Sequence, residues 1–355
     1  MASANVAKIR KVVEKISTYR RKKYWDNDLR SRCYSQLSSE QKKEVLRYFE
    51  RFGVRINPEY VAFYISTTGV FCPEYIPDDL YYCKIDPYFN NWGLAEFIDN
   101  KCYYSSIFPT VKQPNMLAYR MNGIWFINSE IGDLKTVLGR VSGHNAFIKQ
   151  ATESEGGHGV TYCRGGANQE EIEQVIESIH GDIVIQSEIR QCAEMSRLNE
   201  SSVNTVRVLS LLSLDGQVTI LSCVARMGVN GAKVDNASSG GITCGIEQDG
   251  RLKKVAYSAK GAKFDQHPDT GLAFAEVKVP SYNNILEKVK ELHPRVPHFR
   301  LVSWDFCVDD NLEPVLIEAN LRYGQLDFHQ LNNGPVFGNL TEQILQEVFC
   351  KGKQR

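Results

Sequence analysis

The chain has 355 residues, 43% of them hydrophobic, which is enough for a large core in two or three compact lobes. Lys+Arg and Asp+Glu balance at 42 each, whereas a dedicated nucleic-acid binder would show a basic excess. The ten cysteines contain no C-x-x-C pair, so they form neither a zinc-binding nor a disulfide pattern and are expected as buried thiols in a reducing compartment. No apolar run has the length of a signal core or a membrane span, so a soluble, cytoplasmic protein is expected.

Residues 1–55 read as helices. Between Lys8 and Lys23 stand eight basic residues and only one acid, Glu14. Val6, Ile9, Val12, Val13, Ile16 and Tyr19 recur there at helical spacing. This segment is either a helix with a solvated basic face or a weak contact for an anionic membrane surface. Ser38 or Ser39 caps a helix that ends near Gly53. Residues 56–100, rich in Tyr, Pro and Asn, read as packed irregular structure. Strands are expected at 146–150 and 160–162, a helix at 169–180 and a buried strand at 183–186. Beyond 203 strands dominate, at 203–212, 218–226, 302–308 and 314–319, with a helix at 284–292. This mixture predicts an α/β or α+β enzyme-like fold.

Two stretches carry chemistry. The first is FIKQATESEGGHGV, from Phe147 to Val160. A glycine loop between two strands can bring backbone N–H groups close to an anion. Lys149 would aim a compact charge at the same place. The lysine precedes the glycines, so this is not a Walker A loop. A plain flexible hairpin is the alternative.

The second is SWDFCVDDNLEPVLIEAN, from Ser303 to Asn320. Two apolar strands flank a turn rich in Asp and Asn, which is a hairpin signal. With the turn centred on 311–312, Asp305 lies opposite Glu318. Asn320 is two residues on and leaves the same face. Three oxygen ligands on one patch suit Mg²⁺ that also holds substrate phosphates. The alternative is a solvent-facing acid pair, although Val315, Leu316 and Ile317 make the strand apolar.

Two arginines lie within or at the end of apolar strands, Arg207 in NTVRVLSLL and Arg226 in ILSCVAR. Charges so placed face a site or a buried partner. Arg207 is a candidate for stabilising a transferring phosphoryl group. Arg226 is a candidate for clamping a substrate carboxylate. Pairing with an acid such as Asp235 is the alternative. VDNASSGGI, from Val234 to Ile242, reads as a loop lining a ligand pocket. His267, in HPDTG, is a candidate acid–base group or phosphate contact, with a turn residue beside proline as the alternative.

These motifs in this order resemble the ATP-grasp superfamily, and most closely its sugar-transfer-associated family. The residues that carry the resemblance are DNK at 99–101, FIKQ…GGHGV, VIQSEIRQ, SVNTVRVLS, ARMG…VDNASSGGI, HPDTG and SWDF…LIEAN, across about residues 60–325. The resemblance implies an α+β ATP-grasp fold, two α/β lobes holding ATP between them, with a helical N-terminal extension. It divides the chain into a helical and irregular region at 1–100, a small lid subdomain at 101–190 and a C-terminal subdomain with the metal site at 191–355. Lys101 and Lys149 would meet the ATP phosphates, and Gly156, Gly157 and Gly159 would form the lid. Gln186, Glu188 and Ile189 would belong to the hinge that reads adenine and ribose. Asp305, Glu318 and Asn320 would hold Mg²⁺, or Mn²⁺ in its place. Superfamily members often carry Asp directly before the first lysine, where this chain has Asn100.

The implied activity is an ATP-dependent carboxylate–amine (or –thiol) ligase that forms ADP and phosphate through an acyl phosphate. Its substrates would be a small carboxylate and an amine, sugar-linked or related to amino acids, in polysaccharide or cell-surface biosynthesis. No nucleic-acid partner is expected. A small-molecule kinase on the same fold and a non-catalytic nucleotide-binding module are the rivals.

Overall fold

The structure is a computed structural model that describes residues 2–152, 159–231 and 240–351. It forms two compact units. One comprises residues 1–91, 257–263 and 325–355, and the other comprises 92–256 and 264–324. The C-terminal residues 325–355 belong with the N-terminal helices. A buried hydrogen bond shows why: Gln330 donates to the Ile76 carbonyl and accepts from the Ile76 N–H.

The first unit is helical. Helix α1 spans Ala2–Arg30, α2 Ser39–Glu50 and α3 Glu59–Thr68. Ser38 caps α2 in a reciprocal capping box with Gln41, which satisfies two end groups at once. The aromatic stretch read as irregular contains α3. Its residues Tyr60 to Ile65 are all buried, so the helix has no polar face and shows no amphipathic period. Arg32 and Asp78 form a buried ion pair, and the Tyr64 hydroxyl donates to the same carboxylate.

The second unit holds two sheets, giving an α+β architecture. Strands β1 Met116–Met121, β2 Ile124–Ile127, β3 Glu130–Gly132, β4 Ala146–Gln150, β5 Val160–Cys163 and β6 Ile183–Ser187 make an antiparallel sheet in the order β3-β2-β1-β6-β4-β5. Helices Leu134–Ser142 and Gln169–Ser178 cover one face. Their Val137, Val141, Ile172 and Ile176 pack on Ile148, Ile183 and Ile185. Alternation along β4 then sends Lys149 to the opposite face.

The larger sheet runs β11-β10-β9-β8-β7-β12-β13. Its strands are β7 Thr205–Leu212, β8 Val218–Met227, β9 Ile242–Ile246, β10 Leu252–Ser258, β11 Lys263–Phe264, β12 Leu301–Val308 and β13 Pro314–Asn320. Val206, Val208, Val302, Trp304 and Phe306 face one core with helix Tyr282–Leu292. The intervening positions of β7 and β12 therefore point the other way, and Arg207 and Asp305 are among them. All ten cysteines are free thiols. Seven are buried, whereas Cys33 and Cys350 are exposed and Cys72 is half-buried.

Candidate active site

The site begins with the pairing of β12 between β7 and β13. Asp305 lies opposite Arg207 on one side and Glu318 on the other. The hairpin does not reach this register by the symmetric turn the spacing suggests. Val308 pairs with Pro314 and Phe306 with Leu316, and a shift then brings Asp305 to Glu318. The extra residue, Ile317, acts as a bulge that re-aims the next side chain. Ser303 pairs with Asn320.

Two guanidinium groups converge on Asp305. Arg207 Nε and Nη2 donate to its two oxygens at 2.7 and 2.6 Å, and Arg226 Nη1 donates to Oδ2 at 2.8 Å. Asn320 Nδ2 adds a donation to Oδ2 at 3.3 Å and another to the Ser303 carbonyl at 3.1 Å. All three charged side chains are at most 5% exposed. Burial would raise the Asp305 pKa, but Arg207 and Arg226 overcome it and hold the carboxyl at about 2. Both arginines thus engage Asp305, and the acid on Arg226 is not Asp235, which lies outside the described residues.

Glu318 is held differently. Lys101 Nζ donates to its Oε1 at 2.5 Å, and the Glu318 side chain remains 27% exposed. Burial raises its pKa, and the charge on Lys101 outweighs that and leaves it lowered. Asn100 replaces the expected acid and does two structural jobs. Its Oδ1 accepts from the Cys102 N–H at 3.0 Å, and its Nδ2 donates to Asp182 at 2.8 Å. Lys101 N–H donates to the Ala151 carbonyl, which ties this turn to the end of β4.

Lys149 is half-buried on β4, where it pairs with Val184. Desolvation, reinforced by the charge of Lys101, lowers its pKa to about 8. Four cations and two carboxylates therefore gather here, an arrangement with an excess of positive charge that suits a polyanion.

The other expected residues divide. Gly159 has φ +81°, which glycine adopts without strain. Gly156 and Gly157 lie outside the described residues, as do residues 234–239 of the hydroxyl-rich loop. Gln186 is buried and pairs with Met116 and Phe147 on neighbouring strands. Glu188 is exposed and accepts from Asn145 Nδ2 at 2.8 Å and the Tyr162 hydroxyl at 3.3 Å. Ile189 follows it at the end of this segment. His267 is fully buried, and its ring nitrogens meet the Gly228 carbonyl and the Asp269 N–H. Desolvation lowers its pKa. It braces a turn and is not presented to a substrate.

Sequence reasoning passed over Arg322, two residues beyond Asn320. Its Nη2 is 3.5 Å from Asp99, and its buried Nε has no partner among the described residues. The following Tyr323 has φ 54°, and Gln325 has φ 57°. Such backbone strain in non-glycine residues concentrates at functional sites.

The family model described as sugar-transfer associated ATP-grasp matches residues 84–346. The chain belongs to this family. The match spans every site residue named above, from Asp99 to Arg322. No curated protein matches the chain. Among solved structures, this ATP-grasp protein is similar to a biotin carboxylase from Campylobacter jejuni, at 12% identity and TM-score 0.43, covering 72% of this chain and 46% of that one. It is also similar to the D-Ala:D-Ser ligase VanG from Enterococcus faecalis, at 11% identity and TM-score 0.42, covering 70% and 60%. A third is an L-amino acid ligase from Bacillus licheniformis, at 14% identity and TM-score 0.42, covering 71% and 47%. The chain spans about half the length of most of these structures, and the likenesses are too distant to bear on activity.

The donor set fits a hard divalent cation. Asp305 and Glu318 both have pKa values lowered from the ordinary carboxylate range, and the Asn320 amide nitrogen donates to Ser303 and Asp305, which orients the side chain whose oxygen could meet a cation. Among the described residues no three His, Cys, Asp or Glu side chains assemble as a metal cluster. Mg²⁺ is commonly held by one or two carboxylates and completed by phosphate oxygens, which matches this sparse set.

Proposed function

We propose that the protein is an ATP-dependent ligase joining a carboxylate to an amine or thiol, with ADP and phosphate as products. The supporting observation is the convergence of Lys101, Lys149, Asp305 and Glu318 within one unit, in a member of the ATP-grasp family. Lys149 and Lys101 offset negative charge on the ATP phosphates. Arg207 and Arg226 keep Asp305 ionised and fixed in place. Mg²⁺, held by Asp305, Glu318 and Asn320, would draw charge from the phosphate oxygens and leave the γ-phosphorus open to in-line attack.

A carboxylate oxygen of the first substrate attacks the γ-phosphorus. The new bond is C–O–P, and the bond to the β-phosphate oxygen breaks to release ADP. The amine nitrogen (or thiol sulfur) then attacks the acyl carbon, phosphate leaves, and the nucleophile loses its proton. The incoming carboxylate needs a cation, and Arg322 is our assignment, because Arg207 and Arg226 bind Asp305 at 2.6–2.8 Å whereas the Arg322 contact with Asp99 is long, at 3.5 Å. A sugar-linked substrate agrees with the family description.

The kinase alternative needs a general base for a hydroxyl acceptor. His267 was its candidate, and its buried ring is engaged by backbone groups. This favours the ligase. The test is hydroxylamine trapping with ATP across a panel of sugar acids and amino acids. A hydroxamate formed with ADP and phosphate is expected. AMP and pyrophosphate, or a stable phosphate ester, would overturn the assignment.

A further inference from the structure

We propose that α1 seats the protein on an anionic lipid surface. The helix is one continuous element from Ala2 to Arg30, and its second half packs against the rest of the first unit. There Trp25 stacks on Tyr82 at 3.9 Å, the Tyr60 hydroxyl donates to Asp26, Leu29 is buried, and the Thr18 carbonyl accepts from the Cys83 thiol. Between residues 12 and 19 the large apolar side chains face solvent. Val12 is 51% exposed, Val13 60%, Ile16 49% and Tyr19 69%.

Val12, Ile16 and Tyr19 are spaced by four and three residues and share one helix face. Lys23 continues that row and Arg20 lies beside it, while Lys15 and Lys22 lie on the flank. All four of these cations are exposed. Such long side chains can keep their charge in the headgroup layer while the stem lies along apolar surface.

Charge segregation selects the partner. Eight basic residues and one acid between Lys8 and Lys23 give that stretch +7, and because the chain sums to zero, the remaining residues sum to −7. An anionic surface therefore attracts this helix and not the remainder of the chain, whose sum is negative. Nucleic acid would use the charge but leave the aliphatic row in water. A second copy of the helix would bring like charges together. A lipid interface uses both features. Among the described residues no helix is long and apolar enough to cross a membrane, so the contact is with the surface.

The test is flotation of the full chain with phosphatidylcholine vesicles, with and without phosphatidylserine, at low and high salt. Binding is expected only with the anionic lipid and is expected to fall at high salt. Each basic residue near such a surface contributes about fivefold in partition, so the triple variant Lys15→Glu, Arg20→Glu, Lys23→Glu should lose about a hundredfold or more. The variant Val12→Ser, Ile16→Ser, Tyr19→Ser keeps the charge and should still lose partition, about tenfold or more given three buried apolar groups. All six side chains face solvent, so circular dichroism should show both variants folded. Equal binding to neutral vesicles, or none to anionic ones, would overturn the proposal. So would tighter binding to duplex DNA that the serine variant leaves intact, or a dimer that the serine variant abolishes.

Discussion

Asp305 and Glu318 stand opposite each other on neighbouring strands, yet the protein treats them differently. Asp305 is enclosed by two guanidinium groups and an amide, and its side chain is 3% exposed. Glu318 has one lysine ammonium and is 27% exposed. Arginine presents a rigid fork that matches a carboxylate, whereas lysine is a flexible point charge. One half of the site is therefore built in during folding. The other half rests on one lysine ammonium and keeps part of its carboxylate open to solvent. Preorganisation and adaptability are thus divided between two residues that face each other across a single pair of strands.

Asp305→Ala should break this contrast most severely. It leaves two buried guanidinium groups without their carboxylate, and losing one partner of a buried pair costs about 3–5 kcal/mol. Urea unfolding should show that loss, and turnover should vanish. Replacing Arg207 and Arg226 by Met together with Asp305 by Leu should recover much of the stability, because no charge is then stranded. The same contrast appears on acidification. The folded Asp305 pKa is depressed to about 2, so its stabilising contribution is present above the ordinary carboxylate pKa of about 4 and lost as pH falls toward 2.

Glu318→Gln should cost less stability than Asp305→Ala, because Lys101 is buried but the amide oxygen can still accept from its ammonium. Its effect belongs to function, and the Mg²⁺ dependence of nucleotide binding, followed by calorimetry, should weaken sharply. Lys149→Ala should leave folding intact and lower ATP affinity about tenfold, equivalent to about 1.4 kcal/mol. Normal affinity and turnover in that variant would remove Lys149 from the site.

The smallest effect is a pH dependence. Lys149 has a pKa lowered to about 8, so its charge is present below that value and lost above it. ATP affinity should decline as pH rises through this range, and Lys149→Ala should flatten that decline. An unchanged profile in the variant would assign the titration elsewhere.

Much of this site was legible because short-range patterns encode it. The strands around Asp305 and Glu318 announce themselves as apolar runs across a polar turn, and their facing positions follow from counting. The bulge at Ile317 does not, because nothing in PVLIEAN marks where the ladder slips. The targets of Arg207 and Arg226 were hidden for another reason. Asp305 is 98 and 79 residues away from them, and only the placement of β12 beside β7 brings them together. A readable signal was overlooked in the smaller sheet. Asn122 and Gly123 both have positive φ and join β1 to β2, with Met121 opposite Ile124. An Asn-Gly pair between apolar runs is a strong hairpin signal. His267 was ambiguous because a histidine beside proline looks the same in sequence whether its ring is buried or presented to a ligand, and its buried ring matches the turn reading.

The measurement that bears most directly on the site is crystallographic: Mn²⁺ anomalous scattering from crystals soaked with a non-hydrolysable ATP analogue. The account predicts a peak within coordinating distance of oxygens of Asp305, Glu318 and Asn320, with analogue phosphates completing the coordination and Lys149 beside them. Bound analogue with the metal elsewhere, or with its phosphates away from Lys101 and Lys149, would contradict it.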